Sequence, residues 1–234
     1  MIKLRYILAG AALIAAGADA APKEKPRGKA KAAATAAVTP TEAEISPSPD
    51  AQLVAEWIAA SGDNRALPYA VIDKHAASII LYDAKGKPIA QEPVLLGIAT
   101  GDEASPGVGS KKLGEIGPAE KTTPAGRFLA KYGHAAGGQS VLWVDYANSV
   151  AIHPIPADAA KKEKRRERML SPTAEDNRIT FGCINVPRAF HAAKLRPLFQ
   201  KKGGYVYVLP DTKPLEEVFP RLRVHALTAG TAAP

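Results

Sequence analysis

Tyr69-Ala70-Val71-Ile72-Asp73 and Ser78-Ile79-Ile80-Leu81-Tyr82 are two runs of five residues, dense in β-branched, aromatic and aliphatic side chains. Each is too short for a helix, and together they read as neighbouring strands. Asp83-Ala84-Lys85-Gly86-Lys87 follows them as a hairpin turn. Working outward, β-type runs recur at residues 93–99, 126–131, 141–145, 150–152 and 205–209, with Gly, Pro, Asn and Asp clusters between them. The predicted fold is mainly β.

Helical patterns flank and interrupt these runs. Ser48-Pro49-Asp50 supplies an N-cap, a first-turn proline and a first-turn acid. Leu53, Val54, Trp57 and Ile58 then fall at helical spacing, so a helix is expected over 49–60, stopped at Gly62, with Trp57 pinning it to the main domain. Two more helices are expected at 158–170 and 187–199, the latter with Phe190, Ala193, Leu195 and Leu198 on one face.

The N-terminal residues place Lys3 and Arg5 before an apolar run and end in Ala18-Asp19-Ala20, the order of a secretory signal peptide over 1–20. Its removal lowers the formal charge from +8 to +7. Residues 21–47 are Ala-, Pro- and Lys-rich with few large apolar side chains, and read as a disordered linker. A helical segment at 48–66, a main domain at 67–211 and an extension at 212–234 complete the expected organisation. No later stretch holds the ~20 apolar residues that span a bilayer, and no cysteine follows Ala20 to take a lipid, so no membrane anchor is expected. The basic balance suits solubility or attraction to a polyanion such as a carboxylate-bearing cell wall.

The single cysteine, Cys183, cannot form a disulfide within its own chain. It is an inert buried residue, an intermolecular crosslink or a reactive thiol. Its setting is Thr180-Phe181-Gly182-Cys183-Ile184-Asn185-Val186, where Gly182 permits a sharp turn that exposes the sulfur and aims backbone N–H groups at a developing oxyanion. A thiol of ordinary pKa needs a base or a positive neighbour to act as a nucleophile at neutral pH. Of His75, His134, His153, His191 and His225, only His153 ends a strand-like run and is followed by a proline. A strand end is rigid yet faces open space, so His153 is the candidate general base.

In this order the pieces resemble the catalytic domain of the L,D-transpeptidase (YkuD-type) family. Tyr69 to Lys74 followed by Ile79 to Tyr82 resembles its opening hairpin. Thr123-Pro124-Ala125-Gly126-Arg127-Phe128 resembles its Thr-Pro-x-Gly-x-Phe segment. Ala151-Ile152-His153 and Thr180 to Asn185 match its histidine and Ser/Thr-x-Gly-Cys-hydrophobic-Arg/Asn motifs. The resemblance implies a β-sandwich or barrel-like catalytic domain with short helices and a helical insertion before the cysteine. It also implies acyl transfer on peptidoglycan stem peptides through a thioester, with no cofactor or metal and no nucleic-acid partner. A wall-attached protein is a further acceptor to consider, and oligomeric state is left open. By position Cys183 is the nucleophile, His153 the base, and Pro154 the source of the carbonyl that orients the ring. Gly182 shapes the oxyanion turn, while Arg127, Arg178, Asn185 and Phe181 are substrate-binding candidates.

Phe181 stands where many family members have a second histidine, and Pro154 where glycine or serine is common. The interval of 30 residues between His153 and Cys183 is longer than usual and holds six basic residues in eight, Lys161 to Arg168. This segment is a solvated helix or a lid that meets stem-peptide carboxylates. Two rival functions use the same chain differently: a carboxypeptidase or amidase with water as acceptor, or a wall-binding protein whose cysteine is inert. Export to the periplasm is expected throughout.

Overall fold

A computed structural model describes residues 45–224, without the side chains of 158–160. The signal peptide, nearly all of the linker and the tail from residue 225 lie outside the described residues. One sheet dominates, ordered β3-β2-β1-β10-β5-β6-β7-β9. Its strands are β1 (Tyr69–Asp73), β2 (Ser78–Tyr82), β3 (Pro88–Pro93), β5 (Gly126–His134), β6 (Ser140–Asp145), β7 (Val150–Pro154), β9 (Ile184–Val186) and β10 (Gly204–Val208). Leu95, just past β3, bridges to Asn185 on β9, so the two ends of the sheet meet and nearly close it. A second, two-stranded sheet pairs β4 (Leu96–Gly97) with β8 (Arg178–Thr180) in parallel. The chain is mainly β.

β1, β2 and β10 are buried on both faces, which explains their continuous apolar character. Side chains alternate across a strand. Ala70, Ile72, Ile79, Leu81, Val206 and Val208 therefore join Leu142, Ile152 and Ile184 in the inner core, where Phe190, Leu195 and Phe199 also pack. The opposite set, Tyr69, Val71, Ile80, Tyr82, Tyr205 and Tyr207, packs under α1 (Pro49–Ser61). Ser48 caps that helix by accepting from Ala51 N at 3.1 Å, and Gly62, at φ 65°, ends it with an N–H to Ile58 O. Trp57 is buried against the rings of Tyr207 and Phe219, as its helical position leads one to expect.

The structure departs from the sequence reading at three places. Residues 93–99 form strand only at Leu96–Gly97, while the preceding Pro88–Pro93 forms the edge strand β3. That strand carries a proline at each end, which an edge tolerates and a sequence pattern hides. The hairpin turn does close β2 onto β3, with Asp83 N donating to Lys87 O at 2.9 Å. The insertion is not one helix. It is α2 (Ala157–Lys162) and α3 (Arg165–Met169), broken at Lys164 with φ 50°. A continuous helix would set Lys161 over Arg165 and Lys162 over Arg166, and like charges four residues apart repel. After β9 the chain runs through α4 (Arg188–Phe190), a π turn (His191–Leu195) and α5 (Arg196–Phe199). A short α6 (Leu215–Val218) follows β10. Among the described residues no helix is long and apolar enough to cross a membrane.

Candidate active site

β7 and β9 run parallel, with Ile152 opposite Ile184 and His153 opposite Asn185. Ile152 and Ile184 point into the core, so His153 and Asn185 take the other face. Cys183, two residues before Asn185, emerges on that same face. The register of one strand pair thus sets two side chains 30 residues apart in sequence on one face of neighbouring strands, Cys183 level with Ala151 and His153 level with Asn185.

The turn before Cys183 is built by hydrogen bonds. Gly182 sits at φ 116°, and a Cβ there would lie 2.6 Å from Thr122 O, so only glycine fits. Thr123 Oγ1 donates to Gly182 O at 2.9 Å and accepts from Gly97 N at 2.9 Å. Thr180 Oγ1 donates to Cys183 O at 2.6 Å and accepts from Gly182 N at 3.2 Å. The Gly182 N–H is therefore already engaged, and this residue contributes the turn rather than a free oxyanion donor. The role of Thr123 is not readable from the residue pattern, because its partners are distant in sequence, whereas Thr180 bonds to backbone two and three residues on.

Cys183 is half-buried, and its thiol donates to Ser149 O, on the turn between β6 and β7, at 3.5 Å. Burial pushes its pKa above the ordinary 9.0, while a backbone hydrogen bond from Ala151 and the Arg165 charge favour the thiolate. His153 Nδ1 meets Pro154 O at 2.9 Å, and Nε2 meets Asn185 Nδ2 at 3.3 Å. Burial lowers its pKa below 6.5, partly opposed by the Pro154 bond and reinforced by Arg165. A neutral imidazole with Nδ1–H on a carbonyl and a lone pair on Nε2 can remove a proton from a neutral thiol.

The remaining site residues anticipated from sequence are placed unequally. Asn185 is wholly buried, with its amide between His153 and Arg165 and no surface open to a substrate. Phe181 is 38% exposed beside the turn and carries the Lys121 ammonium 3.8 Å from its ring centroid. Arg127 is not brought to the cysteine. It pairs with Asp63 and stacks over Tyr205 on the α1 side of the sheet. Arg178 is committed to Asp211, at 2.6 Å. The carboxylate partners that the sequence reading assigned to substrate are thus internal for both arginines. An open groove of about 800 Å³ between β3 and α4, lined by Ile89, Gln91 and Phe190 among others, lies apart from Cys183.

Asp211 belongs to a buried ionic cluster. Lys74 Nζ donates to Gly101 O at 2.6 Å, Asp102 Oδ1 at 2.9 Å and Thr123 O at 3.1 Å, and lies 3.2 Å from Asp211 Oδ2. Burial would raise the Asp102 pKa, but hydrogen bonds from Thr212, the Asp211 amide, Lys74 and the Lys213 amide hold it well below the usual carboxylate range. Through Thr123 this cluster supports the turn at Gly182. Among the described residues no group of His, Cys, Asp and Glu is arranged to hold a metal ion.

No family model matches the chain, and no curated protein matches it. Solved structures similar to it include L,D-transpeptidases and a cell-shape protein. The catalytic domain of the E. faecium L,D-transpeptidase is 17% identical over 60% of this chain and 95% of its own length, with a TM-score of 0.37. The L,D-transpeptidase of Xylanimonas cellulosilytica is 12% identical over 61% of this chain and 60% of its own, with a TM-score of 0.36. The helical cell shape determining protein Pgp2 of Campylobacter jejuni is 17% identical over 70% of this chain and 57% of its own, with a TM-score of 0.43. The chain spans about three fifths of the length of the last two.

Proposed function

We propose that this chain is an exported cysteine acyltransferase of the L,D-transpeptidase type, which forms or exchanges peptidoglycan crosslinks through a thioester on Cys183. The observation that carries the reading is the β7–β9 register, which sets a thiol and an oriented imidazole on one face of two neighbouring strands. His153 Nε2 takes the Sγ proton as sulfur attacks a stem-peptide carbonyl. The tetrahedral intermediate collapses with loss of the amine, which leaves with the proton from His153. A second stem amine then attacks the thioester, gives its proton to His153, and the sulfur departs to recover it. The exposed basic residues of the insertion, Lys161, Lys162 and Arg166, suit an anionic wall peptide.

Mass spectrometry of purified muropeptides incubated with the mature protein tests the reading. New dimers are expected, and the C183A variant should form none. Loss of terminal residues without dimers would make water the acceptor. Products formed equally by wild type and C183A would overturn the cysteine mechanism, and no products from either would leave a wall-binding protein.

A further inference from the structure

Asn185 stands between the candidate base and the insertion. Its Oδ1 accepts from Arg165 Nη1, and its Nδ2 faces His153 Nε2 at 3.3 Å. An amide has one accepting and one donating end, so the two contacts are not independent. A guanidinium only donates, so the amide turns its oxygen to Arg165 and its N–H₂ to His153. Nε2 must then be the nitrogen with the lone pair. The Nδ1 contact with Pro154 O demands the same tautomer. Turning the amide over would set N–H₂ against guanidinium, and protonating Nε2 would set N–H against N–H₂.

We propose that Arg165 is a positioning residue for the candidate base: by fixing the amide of Asn185 it holds His153 in the tautomer with an unprotonated Nε2, and the Asn185 N–H₂ gives way when that nitrogen takes the Cys183 proton. The basic insertion thereby becomes part of the machinery beside the cleft. The inference deepens the function proposed above and rests on His153 being the base. Arg165 is the only buried member of the basic run 161–168, at 8% exposure, while Lys161, Lys162, Lys164 and Arg166 are exposed. Glu163 holds its Nε at 2.6 Å, so the side chain is gripped at both ends. Met169 seats α3 against Leu95, Ile155 and Ile179, and Asn177 donates to Val94 O at 2.7 Å, which docks the insertion on the sheet. The guanidinium charge acts in the same sense as the clamp, disfavouring a charged His153 and favouring a Cys183 thiolate. The other ionisable group that couples to His153 is His191, on the π turn, with Tyr132 of β5 bonded to it at 3.2 Å and Arg188 and Arg196 beside it.

The test is nitrogen-15 NMR of the imidazole signals across pH in the full mature protein, with His153 assigned from their loss in H153Q. Wild type should show the Nδ1–H tautomer, titrating below pH 6.5. R165M should mix the tautomers and raise the His153 titration by half a unit or more. R166A, a change at an exposed position, should do neither. A folded R165M with wild-type tautomer and titration would overturn the proposal. N185D keeps the shape and can pair with Arg165, so it remains informative if R165M does not fold. Its carboxylate should place a proton on Nε2 and move the titration above pH 6.5, and an unprotonated Nε2 in N185D would equally overturn the proposal. None of these readouts needs turnover. A blank muropeptide assay would therefore count against the enzyme alone, and unchanged imidazole signals beside normal turnover would count against Arg165 alone.

Discussion

Burial moves the pKa values of the two candidate reacting side chains in opposite directions, and both shifts favour the uncharged form. His153 titrates below 6.5 and Cys183 above 9.0, so the thiol and free imidazole coexist over the whole interval between. The competent state is lost when His153 gains a proton on the acid side, and the thiol loses its own on the alkaline side. kcat/KM is therefore expected to hold a plateau across neutrality, with its acid limb lower than an ordinary imidazole would give and its alkaline limb higher than an ordinary thiol would give. A profile peaking sharply near neutrality would instead mark a preformed thiolate–imidazolium pair. H153A should lower turnover by about 10²–10⁴ at the plateau, the usual contribution of a positioned base. Lys74 allows a different test at this scale, since its ammonium lies between two buried carboxylates, of which Asp211 is also paired with Arg178. K74M is expected to cost about 3–5 kcal/mol in urea unfolding, because Asp102 would keep its charge without its cationic partner.

At the scale of elements, the insertion divides its work between one inward arginine and several outward cations. Exchanging Lys161, Lys162 and Arg166 for glutamine should raise the apparent KM for muropeptides and flatten its salt dependence. kcat should change less than about twofold, since these groups act at a distance that salt screens over ~8–10 Å. Unchanged kinetics at every ionic strength would make this face merely solvated. The sequence pattern marked the insertion and its charge but not the break at Lys164, which depends on repulsion between successive turns and on where Asn185 offers an acceptor. The same limit explains the other gaps. Strands β1, β2, β6, β7 and β10 were legible because burial writes itself as apolar runs. The helix from Pro49 was legible because its cap residues are local. β3 was not, because an edge strand between two prolines needs no apolar pattern. Cys183 and His153 could be singled out from turn chemistry and a strand end. Arg127 was misplaced, because its partner Asp63 follows α1 and only the folded chain brings the two together.

Across the molecule, the outer aromatic layer and the candidate dyad lie on the face of the sheet away from the inner core but toward different ends of the strand order. Trp57 of α1 packs with Tyr69, Tyr82, Tyr207 and Phe219 in this layer, whereas Cys183 and His153 stand at the β7–β9 end of the strand order, with β5 and β6 between. Stability and catalysis should therefore respond to different mutations. W57A removes a buried ring that packs against two others, and such truncations cost about 3–5 kcal/mol. Its urea midpoint should fall accordingly, while KM and kcat measured below the unfolding transition stay within about twofold of wild type. G182A should behave in the opposite way. A Cβ at that position meets Thr122 O at 2.6 Å on a backbone at φ 116°, so the turn must shift and carry Cys183 out of line with His153. Misplacement by about 1 Å can cost on the order of 10²-fold in rate, a far larger effect on turnover than on a sheet whose core the turn does not enter. A W57A variant that lost turnover in proportion to stability would show that α1 and the outer layer set the geometry of the dyad, and that the sheet transmits strain from one end to the other.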